Sequence, residues 1–183
     1  MRGMVCLYMR LAMSIIAITI GAIGLSHVAV AQSDLDGITV LARGGGTTII
    51  EGGTGKSGGF VPVVTTVGFH AERSAGTVTG NFECLAKAPQ NATGAGSAQF
   101  TVNVMYVTGQ ITAVTVTHDT ATLTGTAEIT GLGAGSSVPF TFTLHTGGPG
   151  SAAVLTTEGS THLVFHETLL EGSFDTFSER RHD

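Results

Sequence analysis

The chain has 183 residues, with eight Lys and Arg against thirteen Asp and Glu, 27 glycines, two cysteines and no tryptophan. An acidic balance with no basic cluster interleaved with aromatics argues against nucleic acid as a partner, and against anionic membrane surfaces for the same reason. Only 11% of the residues are charged, so the polar surface is made mainly of Thr, Ser, Gly and Asn, which suits a sheet-rich extracellular module: threonine is β-branched and polar and covers the wet face of a strand.

The chain starts with Arg2 and Arg10 ahead of an apolar run from Leu11 to Leu25, then His27-Val-Ala29-Val-Ala31-Gln32. Basic residues, a short apolar core and small side chains at Ala29 and Ala31 predict an export signal over residues 1–31, cleaved before Gln32. About 15 apolar residues are short for a bilayer span, which takes about 20, and Cys6 lies ahead of the apolar core, so no lipoprotein anchor is expected. No membrane span is expected after cleavage. Residues 32–183 then form a single all-β domain with a frayed C-terminal tail, a size that buries about two thirds of its extended surface without staples. Cys84 is the one cysteine left in that segment. Lying between Glu83 and Leu85 in an alternating pattern, it reads as a small buried hydrophobe, not a reactive thiol.

From Gln32 onwards the pattern is short alternating segments divided by glycine-bearing turns. The predicted strands begin with Ile38–Leu41, a turn or bulge at Arg43-Gly-Gly-Gly46, and Thr47–Glu51. Gly52–Gly59 is a flexible loop. Phe60–Arg73 places Val61, Val63, Val67 and Phe69 on one face, and Ser74-Ala-Gly76 turns the chain. Thr77–Ala86 sets Val78, Phe82, Cys84 and Ala86 against Thr79, Asn81 and Glu83. After a polar connection at 89–97, Gln99–Val107 places Phe100, Val102, Val104 and Tyr106 on one face, taken as the inward one, and Gly109 ends it. Ile111–Thr117, a turn at His118-Asp119, and Ala121–Thr130 follow, the last alternating threonines and Glu128 with Leu123, Gly125, Ala127 and Ile129. Val138, Phe140, Phe142 and Leu144 alternate with Thr141, Thr143 and His145. Ala152–Thr157, Thr161–Glu171 and a short Phe174–Phe177 complete about eight to ten antiparallel strands. Both a sandwich and a closed or nearly closed β-barrel fit this pattern.

Signals for chemistry are few. Gly55-Lys56-Ser57 does not complete a phosphate-binding loop, because the first glycine of that motif would stand where Ile50 is and no helix follows. His162 and His166 share one strand face but lie about 13 Å apart along an extended chain, too far for one ion. His70, His118 and His145 are candidates to complete a site from other strands, but nothing in the pattern demands it. Glu72, Glu83, Glu128, Glu158, Glu167 and Glu171 read as solvated acids on polar faces and turns. There is no Gly-x-Ser-x-Gly elbow. Tyr106 as the one tyrosine after residue 31 weakens a carbohydrate-binding reading, since sugar faces stack on such rings. Asn91-Ala-Thr93 is an N-glycosylation acceptor if the host is eukaryotic. No catalytic residue, cofactor or metal ligand is assigned.

The run Gly58-Gly-Phe60, Gly76-Thr-Val-Thr-Gly-Asn-Phe82, Ala121-Thr-Leu-Thr-Gly-Thr-Ala127 and Val138-Pro-Phe-Thr-Phe-Thr-Leu144 with Gly147-Gly-Pro-Gly150 resembles the post-COAP-1 type of small secreted β-rich domain. The resemblance covers most of residues 37–177 and implies the fold and export, with no catalytic residues to carry over. Where that family has an acidic turn, this chain reads His145-Thr-Gly-Gly-Pro-Gly150. The expected function is that of an exported non-enzymatic β-module with a structural, surface-associated or protein-binding role, secreted or periplasmic, with a protein or cell-surface component as partner. The alternatives are a β-barrel carrier of a small apolar ligand, with Phe82, Phe100, Tyr106, Phe140, Phe142 and Phe165 around the interior, and a small secreted enzyme using a His-acid pair.

Overall fold

The computed structural model describes residues 38–50, 62–90 and 100–180. The proposed export signal, the Gly52–Gly59 loop, the acceptor at Asn91 and the last three residues lie outside them. The described residues form eight antiparallel strands: β1 (Ile38–Ile50), β2 (Val63–Ser74), β3 (Thr77–Pro89), β4 (Phe100–Thr117), β5 (Thr120–Gly131), β6 (Gly135–His145), β7 (Ala152–Glu158) and β8 (His162–Arg180). Each strand pairs with its neighbours in sequence, and β1 pairs with β8, so the sheet closes into a barrel. Of the two architectures compatible with the sequence pattern, the barrel is the one adopted. Among the described residues no helix is long and apolar enough to cross a membrane.

Alternation carries most strands to this result. Val63, Val67, Phe69 and Ala71 of β2 point inward, as do Phe82, Cys84 and Ala86 of β3 and Leu123, Ala127 and Ile129 of β5. Two-residue hairpins join β2 to β3 and β4 to β5, with Ala75 at φ +49° and His118 at φ +56°, a backbone hand that matches the twist of the flanking strands. Threonines fill the outward positions of β5 and β6.

Several sequence expectations are corrected. Arg43–Gly46 is neither a turn nor a break: β1 runs unbroken from Ile38 to Ile50. Gly109 does not end a strand, because β4 continues for 18 residues to Thr117. Phe174–Phe177 is the continuation of β8, not a separate strand. Most consequentially, the inward face assigned to the start of β4 does not continue to Tyr106. Val104 packs against the core, but Met105 and Val107 are buried and Tyr106 is 37% exposed. Between the pairs Ala86–Met105 and Lys87–Asn103, β4 carries Val104 as an extra residue. Such a bulge reverses which side chains face the core.

An eight-stranded barrel is just wide enough for side chains to fill it. Here Phe69, Phe82, Phe140, Phe142 and Phe174 do so, with ring centroids 5.0–6.2 Å apart in stacked, tilted and edge-on pairs. Gly109 and Gly125 make room for them. A Cβ on Gly109 would stand 2.7 Å from the Phe140 ring, and one on Gly125 would stand 1.9 Å from the backbone oxygen of Gln110.

Gly109→Ala is therefore expected to destabilise the barrel by about 1–3 kcal/mol through overpacking. Adding Phe140→Leu should recover part of that loss, because a movable ring is the main obstacle. Gly125→Ala should gain much less from the same second change, since it meets backbone. Chemical denaturation of the four variants measures this, and equal recovery at both glycines would contradict the packing described.

Candidate functional site

The strongest concentration of polar chemistry inside the barrel is at Glu167. Leu163, Phe165, Glu167 and Leu169 occupy alternate positions of β8 and so share its inward face. Glu167 is 2% exposed. Thr48 of β1 and Thr65 of β2 are also buried and are cross-strand partners, and their side chains meet the carboxyl. Thr65 Oγ1 is 2.7 Å from Glu167 Oε2, Thr48 donates to the same oxygen, and the two hydroxyls also contact each other. Both threonine hydroxyls thus donate to one carboxyl oxygen. Burial pushes the Glu167 carboxyl above its ordinary range, and the threonine hydrogen bonds offset this only in part.

Cys84 of β3 adjoins this cluster. Burial is the main cause raising its thiol pKa, and a hydrogen bond with Thr65 opposes it. A protonated buried thiol is a poor nucleophile, so the expectation that Cys84 is a small core hydrophobe agrees with its place. Glu167 is a correction: it is not a solvated acid. Its position was detectable, because it interrupts an apolar row at the parity of Leu163, Phe165 and Leu169, just as Thr65 stands between Val63 and Val67.

A void of about 10 Å³ lies beside Glu167, Cys84 and Thr65, roofed by apolar side chains that include Ile50, Met105 and Phe165. That space is about one water molecule. The arrangement can hold a proton and a water, and has no room for a substrate.

The histidine–acid pairs lie elsewhere. His162 Nδ1 is 2.9 Å from Glu158 Oε1 across the β7–β8 hairpin, and His145 Nδ1 is 3.2 Å from Thr120 Oγ1 and 4.0 Å from Asp119 Oδ2 at the opposite end of the barrel. All four histidine and acid side chains are more than half exposed. His162 and His166 share the exposed face of β8, as the sequence implied. Among the described residues no three His, Cys, Asp or Glu side chains are grouped as metal ligands would be.

No family model, curated protein or solved structure matches this chain. What can be said of a site therefore comes from geometry, and the outer wall offers the larger concavities. A hollow of about 760 Å³ opens over β2–β5, lined by Thr66, Gly68, Glu83, Leu85, Lys87 and Tyr106 among others. A second, of about 400 Å³, adjoins it through Glu83 and extends past Thr108, Gln110 and Glu128 to Ser137. Sequence reasoning had turned Tyr106 inward and so could not find this surface.

A raised Glu167 pKa has a defined effect on stability. The neutral carboxyl contributes stability that is fully present below the unfolded-state value, near 4.5, and is lost as pH rises towards the folded-state value, at about 1.4 kcal/mol per pH unit. Glu167→Gln keeps a hydrogen-bonding carbonyl and cannot ionise. It should match the wild type in denaturation at pH 4 and exceed it at pH 8. Parallel stability–pH curves for the two proteins would contradict a neutral Glu167.

Proposed function

We propose that this chain is an exported, non-enzymatic β-barrel module that acts through its outer surface, in a structural, surface-associated or protein-binding role in the periplasm or outside the cell. The observation that carries the reading is the filled interior. Five phenylalanine rings occupy the barrel's middle, and the void at Glu167 is about 10 Å³, whereas a site for a drug-sized ligand takes about 300–1,000 Å³. A carrier of a small apolar molecule would need that space. One of the aromatics that such a carrier would place around its cargo is not available for it: Tyr106 faces outward.

The enzyme alternative has less support. Its histidine–acid pairs are exposed at strand ends, where solvent screens their interaction. Export is supported by the order of Arg2, Arg10, the apolar run and Ala29-x-Ala31. The kinship with post-COAP-1 domains rests on the glycine–threonine strand motifs quoted above.

Native mass spectrometry of the full chain, expressed in a secreting host and purified from the medium or periplasm without refolding, tests the reading. The expected mass begins at Gln32 and carries no stoichiometric adduct. A one-to-one organic or metal adduct would overturn the outward-acting module, and a mass retaining residues 1–31 would overturn cleavage.

A further inference from the structure

We infer that the trough over the outer face of β2–β5 binds an uncharged oligosaccharide chain. This rests on the reading of the module as one that acts through its outer surface, and it names the partner chemistry for that surface.

The trough is a product of register. Thr66, Leu85, Tyr106 and Thr130 lie side by side across the four strands, and two residues further along so do Gly68, Glu83, Thr108 and Glu128. A third outward row follows with His70, Asn81, Gln110 and Thr126. Rows two residues apart are separated by about 7 Å, so the three rows form a lane that runs along the strands. Gly68 leaves the middle row without a side chain on β2, and a Cβ there would meet nothing within 4 Å. The lane is therefore hollow at its centre, and the two concavities of about 760 and 400 Å³ meet at Glu83.

The side chains select the occupant. Across these rows every strand is paired on both sides, so an extended peptide has no free edge to join there and recognition falls to side chains. Apart from Leu85, Tyr106 and Gly68 the rows offer hydroxyls, carboxamides, the His70 imidazole and two carboxylates, groups that pair with ligand hydroxyls. Carboxylate oxygens at Glu83 and Glu128 accept from adjacent hydroxyls, and Asn81 and Gln110 both donate and accept. Tyr106 supplies a partly exposed aromatic face for the C–H side of a sugar ring. Glu83 and Glu128 outnumber Lys87 along the two hollows, and in an acidic chain they repel polyanions. An uncharged polymer rich in hydroxyls satisfies these conditions, and a phosphorylated or uronic-acid polymer does not.

The test is amide shift mapping by NMR on the exported protein, titrated with neutral hexasaccharides of β-glucan, xylan and mannan, and with a hexuronate for comparison. Two variants accompany it. Tyr106→Ala removes the aromatic face, and Gly68→Leu fills the trough from a position where added atoms meet open space. At least one neutral hexasaccharide is expected to shift the amides of Thr66, Gly68, Glu83, Tyr106 and Thr108, binding at least tenfold more weakly to each variant, with melting of the Gly68→Leu variant unchanged and no shifts from the hexuronate. No shift with any neutral oligosaccharide, or undiminished binding by Gly68→Leu, would overturn the inference. Absence of sugar binding together with a co-purifying protein that Gly68→Leu releases would overturn the sugar assignment and leave the outward-acting module standing. Shifts confined to Phe165, Glu167 and Cys84 would overturn both.

Discussion

A sheet of eight strands has two edges unless its first and last strands meet, and each edge is a row of unpaired N–H and C=O groups that invites association with another chain. In this barrel β8 meets β1 along the whole length of β1, from Ile38 opposite Arg180 to Ile50 opposite Glu167. The approach is close where three glycines of β1 face Gly172, Ser173 and Phe174. A Cβ on Gly44 would stand 2.4 Å from the Ser173 oxygen, and one on Gly172 would stand 2.1 Å from the Gly45 oxygen. Leu170 is an extra residue of β8 between the partners of Thr47 and Thr48, and a bulge of this kind adds the local twist that closure requires. Glycines at the seam thus do for the backbone what the phenylalanines do for the interior.

Closure decides what the inside contains. With eight strands the bore admits side chains and little else, and the aromatic cluster uses the middle of it. Glu167 is the polar exception, tolerated because Thr48 and Thr65 hydrogen-bond it and because burial keeps its proton on. A neutral, hydrogen-bonded carboxyl avoids most of the cost of burying a charge. It also ties β8 to β1 and β2 by side chains, next to the backbone seam, so the same three strands are joined twice. The larger concavities lie on the outer wall, where the threonine-rich rows and the Gly68 gap give the surface its relief.

Much of this was legible in the sequence, and the failures share a cause. Period-two alternation located the core faces of β2, β3, β5 and β6, because those strands run with few irregularities through their central pairs. It failed wherever the parity changes within a strand. Val104 is an extra residue in β4, so extrapolating from Phe100 and Val102 placed Tyr106 inside and Met105 outside, and hid the surface on which Tyr106 stands. Thr112 is a second extra residue in the same strand, between Ile111 and Ala113. Glycines misled in the opposite sense. Gly44–Gly46 and Gly109 read as turns, yet they are mid-strand positions where a neighbouring strand or ring comes too close for a side chain. Glu167 was visible by parity with Leu163, Phe165 and Leu169, and was overridden by the general expectation that acids are solvated.

The central claim is that β1 and β8 close the barrel, and hydrogen–deuterium exchange on the native protein tests it most directly. Amides of β1 between Val40 and Thr48 are predicted to exchange as slowly as those of β3 between Asn81 and Lys87, because both segments lie between two paired neighbours. Fast exchange at alternate positions along β1, with protection retained in β3, would mean a free edge at β1 and an open sheet, and would contradict the account.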